Sequence, residues 1–192
     1  MGSALLAFTC IAVAGGVVWS LFEPKFDSQA KTASDATITA SISPGSASLG
    51  PSGLPVPRFV SLKAEKVNVR RGPSSDHPVA WVFQRKGLPV EIVAEFENWR
   101  RIRDSEGEEG WILQSMLAGK RTAVVAPWRG QQMTELHSAA NKASSVQARL
   151  AAGAMGEVAN CDGKWCEISA GGYDGYVEQE MLWGVYPGET VN

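Results

Sequence analysis

Three cysteines, two histidines and a run of carboxylates are the side chains in this 192-residue chain best equipped for chemistry. A nucleophilic enzyme needs a thiol or hydroxyl beside a base, yet neither His77 nor His137 is near a cysteine in the sequence. H-E-x-x-H, G-x-S-x-G and phosphate-cradling glycine loops are missing. Cys161 and Cys166 form a C-x-x-x-x-C pair with no second pair, which makes a poor zinc site. Asp104, Glu106, Glu108 and Glu109 could in principle share acid/base work. No apolar pocket is evident that would push their pKa values apart, so they read as a solvated hairpin tip. Gly171-Gly172 is likewise a hairpin tip, because no helix follows to receive a dinucleotide. The expectation is therefore a protein that is not an enzyme and holds no metal or cofactor, which leaves binding to be explained.

Charge narrows the partners. The formal net charge is −2. Residues 58–120 carry eleven Lys/Arg against nine Asp/Glu, and residues 121–192 carry five against eight. Neither half has the basic field of a nucleic-acid binder.

From Ser3 to Phe22 the sequence SALLAFTCIAVAGGVVWSLF carries no charge, and at helical rise twenty residues reach roughly 30 Å, enough to cross a bilayer. Residues 1–22 read as an export element, either a signal peptide or a retained membrane anchor. Ala12-Val13-Ala14 offers an A-x-A cleavage pattern, but the basic n-region is missing. A start upstream of Met1, inside a longer signal peptide, would equally account for that. Cys10 lacks a Leu-led lipobox and reads as one more apolar residue of the stretch. Residues 23–57 are rich in Ser, Ala, Thr, Pro and Gly with few large apolar side chains, the composition of a disordered linker.

Between Val67 and Leu117, short β-rich runs (VNV, VAWVF, VEIVA, WRRI, GWIL) alternate with turn chemistry (RGPSSD, RKG, EN, DSEGEE), the spacing of a small closed meander. Arg58 to Lys63 supplies an opening strand. The two-residue turn Glu97-Asn98 should place Phe96 opposite Trp99 and Glu95 opposite Arg100. Val67, Asn68, Val69, Arg70, Gly72, Pro73 and Ser74, then Gly87, Trp99 and Ile102, then Gly110, Trp111, Ile112 and Leu117 together resemble the bacterial SH3-like (SH3b) domain, which would occupy residues 58–120.

The frame recurs. A shift of 66 places Gly87 on Gly153, Glu91 on Glu157, Ile92 on Val158, Trp99 on Trp165 and Ile102 on Ile168. After a one-residue deletion Gly110, Trp111, Ile112, Met116 and Leu117 fall on Gly175, Tyr176, Val177, Met181 and Leu182. A degenerate second SH3-like module is expected over 128–188, joined and packed through the segment around Val124 to Trp128. Its front half departs from the resemblance: Leu136-His-Ser-Ala-Ala-Asn-Lys142 stands where the N-x-R-x-G-P run should be. His137 there reads as a surface or capping residue. The expected fold is all-β, two tandem small SH3-like barrels after an N-terminal hydrophobic helix and a disordered linker.

The repeat has a consequence for the cysteines. Cys161 and Cys166 occupy the positions of Glu95 and Arg100, direct cross-strand neighbours around the turn Gly163-Lys164. With Gly first in a type II′ turn, Asp162 and Trp165 would be the hydrogen-bonded pair, and the cysteines the next, non-hydrogen-bonded pair, about 4.5 Å apart at Cα. That separation lies inside a disulfide's range, so a Cys161–Cys166 bridge is expected. Closing a six-residue loop contributes roughly 2 kcal/mol.

Modules of this kind accompany cell-wall hydrolases whose catalytic Cys and His sit in a separate domain, for which the tether leaves no room. The resemblance implies binding through loops and exposed aromatics, with Arg70, Arg71, Trp81 and Trp128 as candidate ligand contacts. Trp81 stands where the family pattern has something small. Arg70 and Asn68 also read simply as groups that fix their turn through loop carbonyls, and Trp99 and Trp111 as core or hairpin clamps. The implied function is an exported, periplasmic or inner-membrane-anchored binding module for peptidoglycan or an envelope peptide. The alternative is a structural protein–protein adaptor of an envelope complex with no small ligand. Residues 3–22 would hold it to the membrane if uncleaved.

Overall fold

Period-two alternation of apolar and polar residues makes strands throughout residues 48–192, the part of the chain that the computed structural model describes. The anchor or signal of residues 1–22, Cys10, and most of the expected linker lie outside the described residues. No described helix is long and apolar enough to cross a membrane.

A two-stranded hairpin, β1 (Ser48–Leu49) and β2 (Pro55–Val56), comes first. Seven strands follow: β3 (Arg58–Leu62), β4 (Val67–Arg70), β5 (Val79–Phe83), β6 (Pro89–Phe96), β7 (Trp99–Arg103), β8 (Glu109–Leu113) and β9 (Leu117–Ala118). Their order across the sheet is β5-β4-β8-β7-β6-β3-β9. The chain then repeats itself with β10 (Thr122–Val125), β11 (Met133–His137), β12 (Val146–Ala151), β13 (Met155–Asp162), β14 (Trp165–Ala170), β15 (Tyr173–Glu178) and β16 (Leu182–Trp183), ordered β12-β11-β15-β14-β13-β10-β16. A last strand, β17 (Thr190–Val191), pairs with β13.

The copies agree down to their irregularities. Each has a bulge in its longest strand, after Ile92 in one and after Val158 in the other. Another falls after Val69 and after Leu136. A bulge leaves one residue unpaired and bends its strand, and here the bends let each meander curl onto itself. Inside the first barrel Leu62, Val67, Val69, Val90, Ile92, Ile102 and Ile112 are at most 1% exposed. Inside the second, Leu136, Ile168 and Val177 hold the equivalent places. Burying each such side chain stabilises the fold by about 1.5–3 kcal/mol.

Two expected boundaries move. Residues 48–57 belong to the linker by composition, yet Ser52 caps the Glu95 carboxylate through its amide and hydroxyl at 2.9 and 2.8 Å and so draws the β1–β2 hairpin onto the first barrel. The second barrel begins at Thr122, before residue 128, because β10 pairs with both β13 and β16 and all four of its residues are buried. The Val124–Trp128 segment is thus internal to that barrel rather than the seam.

The seam lies elsewhere. Phe59 of β3 meets Trp183 edge-on at 5.2 Å and Tyr186 at 4.7 Å between ring centres. The Tyr186 hydroxyl donates to Glu91 at 2.9 Å, and the Thr122 hydroxyl donates to the Gly87 carbonyl at 2.7 Å. Burial, followed by the charge and hydrogen bond of Glu91, pushes the Tyr186 hydroxyl well above the ordinary tyrosine range. Gly184 lets the strands close up here: its φ is 122°, and a Cβ would lie 2.3 Å from the Thr122 carbonyl oxygen.

The far end of each long hairpin is locked by different chemistry. In the first barrel Glu95 and Arg100 are register partners, joined at 3.1 Å, with Arg58 adding a second guanidinium at 2.7 Å. In the second barrel the register partners Cys161 and Cys166 are bonded to each other, 4.1 Å apart at Cα. The turn beyond them differs from a backbone-closed type II′ turn. Asp162 Oδ1 accepts the Lys164 and Trp165 amides at 2.8 and 2.7 Å, and these bonds hold its carboxyl below the ordinary range. The acidic turn of the first barrel is likewise organised from within, since Asp104 is buried and accepts the Glu106 and Glu108 amides.

Burial alone would raise the Glu95 carboxyl. The Ser52 amide, Arg58, the Ser52 hydroxyl and the Arg100 charge outweigh burial and lower it from 4.5 to about 2. A folded pKa below the unfolded value adds stability that is complete above about pH 5 and is lost as the pH falls towards 2. Thermal unfolding across that window should lose on the order of 2 kcal/mol in the wild type, and Glu95→Gln should lower stability at neutral pH and flatten this acid limb. Phe59→Ala should cost about 3 kcal/mol and split one calorimetric transition into two, because it empties the seam while leaving both barrel interiors intact.

Candidate binding groove

One face of the second barrel carries charges that the equivalent positions of the first do not all share. Register places Ala148 of β12 where β5 carries Trp81, opposite Leu136 and Val69 respectively. Glu178 likewise stands where β8 carries Leu113, opposite Trp165 and Trp99. Ala148 packs against the core, whereas Glu178 lines a polar groove of about 380 Å³ on the second barrel. Its charged walls are Glu135 on β11, Arg149 on β12, Glu178 on β15, Lys142 in the β11–β12 loop, and Arg129 in the 3-10 turn Pro127–Arg129.

Most of these charges are paired. Lys142 reaches Glu178 at 2.7 Å, and Arg149 reaches Glu135 at 3.4 Å. The Glu178 hydrogen bond and charge raise the Lys142 ammonium above the ordinary lysine range. Arg129 has no carboxylate within 4.0 Å among the described residues. Trp128, beside it in the same turn, is 56% exposed, more than any other described aromatic ring. The groove is also lined by Thr134, whose buried hydroxyl lacks a hydrogen-bond partner in the place where the first barrel has Val67.

His137 corrects its expected surface position. It is 7% exposed, with its ring edge-on to Trp165 at 5.5 Å. Its Nδ1 faces the Ser144 carbonyl at 3.5 Å, and its Nε2 lies 3.9 Å from Glu135. Arg70 holds the equivalent place in the first barrel and donates to the His77 carbonyl at 2.6 Å. Both residues bond a carbonyl seven positions on and hold the first loop in shape.

The four candidate contacts are therefore not brought into one site. Arg70 is committed to its loop, and Arg71 is exposed on the same loop of the first barrel. Trp81 packs against the first core, edge-on to Phe83 at 6.1 Å, and its ring lies 3.1 Å from where a Cβ on Gly110 would stand. Only Trp128 adjoins the groove, through Arg129. Sequence reasoning missed Arg129, Glu135, Lys142, Arg149 and Glu178, which come from five separate segments and share no motif. A signal existed only for Glu178, which stands where the first copy has Leu113.

A larger cavity of about 700 Å³ lies between the β1–β2 hairpin, the first barrel and the Tyr186–Glu189 segment. Its guanidinium groups are already engaged: Arg58 and Arg100 share Glu95, and Arg121 holds Glu189 at 2.8 and 3.0 Å. Burial would raise the Glu189 carboxyl, but the Arg121 hydrogen bond, the Tyr186 amide and the Arg121 charge lower it. This cavity is part of the frame that joins the barrels.

The profile of the bacterial SH3 domain family matches residues 63–119 and 131–184, together more than half of the chain. The chain belongs to the bacterial SH3 domain family and carries two tandem copies. Among solved structures, NlpC2 and NlpC1 from Trichomonas vaginalis are each 17% identical to it with a TM-score of 0.30. The matches cover 66% and 71% of this chain and 48% of each of those chains, so this chain spans about half their length. No curated protein matches.

Trp81→Ala should cost about 2–3 kcal/mol in denaturant unfolding, because it empties a packed position. Trp128→Ala should change stability by less than about 0.5 kcal/mol.

Proposed function

We propose that the protein is an exported, non-catalytic binding module of the cell envelope. Its second barrel would recognise a peptidoglycan fragment or a peptide bearing a free carboxylate. One observation carries this reading: Arg129 is a groove cation without an acidic partner among the described residues, next to an exposed indole, in a groove whose other cations are paired. A carboxylate would bond Arg129, while an apolar or sugar face would lie on Trp128. The buried Thr134 hydroxyl costs stability unless something satisfies it, which suits a position that meets a ligand. The Cys161–Cys166 bond ties up both described thiols, leaving neither as a nucleophile, and such a bond persists in oxidising compartments outside the cytosol. The uncharged stretch from Ser3 to Phe22 supports export on its own.

A second reading, an adaptor that joins envelope proteins without a small ligand, has one observation in its favour. Phe96, Trp99 and Leu113 are successive register partners, so they share one face of β6, β7 and β8, with Phe96 50% and Leu113 38% exposed.

Purified peptidoglycan should pull the protein down without releasing soluble fragments. Arg129→Ala should weaken capture roughly tenfold or more with unfolding unchanged, and Trp128→Ala should weaken it as well. Release of fragments that a single substitution abolishes would defeat the non-catalytic reading. Failure to bind, together with a protein crosslinked to the Phe96–Leu113 face in cells, would establish the adaptor.

A further inference from the structure

The opposite side of the seam gathers cations that neither barrel's groove uses. A cleft of about 480 Å³ runs between the barrels, with Lys63 at the end of β3, Lys86 before Gly87, and Lys120 in the connection to β10 along its walls. Arg85, next to Lys86, donates to the Gly153 carbonyl across the seam at 3.3 Å. The one carboxylate lining the cleft is Glu157, which is paired with Lys120. Lys63, Arg85 and Lys86 have no acidic partner within 4.0 Å among the described residues. They come from separate loops, held in place by the Gly87 amide on the Leu62 carbonyl at 2.8 Å and by the Thr122 hydroxyl on the Gly87 carbonyl at 2.7 Å.

We infer that this cleft binds the phosphate group of an anionic phosphate ester. The two unpaired ammonium groups lining one hollow, Lys63 and Lys86, exceed what a single carboxylate can answer, whereas a phosphate offers several acceptor oxygens to donors approaching from different sides. The site arises only from docking of the barrels, since its walls belong to both. It is independent of the groove around Arg129.

Two arms test the inference on the full chain. In the first, glycerol phosphate is titrated against the protein by calorimetry. In the second, sedimentation with vesicles of phosphatidylglycerol in phosphatidylcholine is compared with pure phosphatidylcholine, which cancels uncharged contributions. Binding in either arm supports the site, and the arm that binds identifies a soluble ester or a lipid headgroup as its source. Lys63→Ala/Lys86→Ala should weaken binding roughly 30-fold, and raised salt should remove it. Lys66→Ala/Lys164→Ala removes an equal charge at positions that do not line the cleft and should leave binding unchanged, as should Lys164→Ala alone. No binding in both arms, or equal weakening by Lys66→Ala/Lys164→Ala, overturns the inference. Thermal unfolding of each variant excludes loss of fold as the cause.

Discussion

A barrel of some sixty residues has little core to hold it shut, so its longest hairpin gains from a lock of its own. Both barrels answer that constraint at one register position, the pair just inside the β6–β7 and β13–β14 turns. One uses a carboxylate between two guanidinium groups and the other a covalent bond. The two locks make different demands. A buried charge is tolerable only when its oxygens are satisfied, so Glu95 needs Ser52, and Ser52 draws the β1–β2 hairpin onto the barrel. A disulfide needs no such retinue. In the second barrel the equivalent flank is taken by β17, which pairs with β13 at Cys161 and Asp162.

With their ends secured differently, the two copies can diverge in the middle while keeping one topology. The first barrel packs Trp81 against its core, carries Leu113 on its surface and holds its first loop with Arg70. The second has Ala148, Glu178 and His137 at those places, and Glu178 and His137 line a charged hollow. The seam around Phe59, Trp183 and Tyr186 then joins a filled barrel to an open one, so that each side of the junction presents different chemistry. Duplication in this chain supplies a scaffold twice and a groove once.

Much of the fold was legible in the sequence because it rests on local patterns. Alternation and turn residues located the strands of the first barrel, and the 66-residue shift located those of the second. The Glu97-Asn98 turn fixed the Glu95–Arg100 pairing, and the same register placed the cysteines. The misplaced start of the second barrel has a physical cause: Thr122–Val125 pairs with β13 and β16, some thirty and sixty residues on, which no local pattern reveals. The same is true of residues 48–57, whose composition suits a linker but whose Ser52 finds a long-range partner in Glu95. The groove was hidden for a related reason. Trp81 drew attention as an unusual aromatic but fills space against the first core, whereas the groove's charged residues come from strands and loops that no local pattern brings together.

Backbone amide spectra of the labelled protein, recorded during titration with a soluble peptidoglycan stem peptide, test the placement of the groove most directly. Shift changes centred on Trp128, Arg129, Glu135, Lys142, Arg149 and Glu178, with the first barrel's Arg71-to-Pro78 loop unaffected, are the predicted result. Changes confined to the first barrel around Arg71 and Trp81 would contradict it.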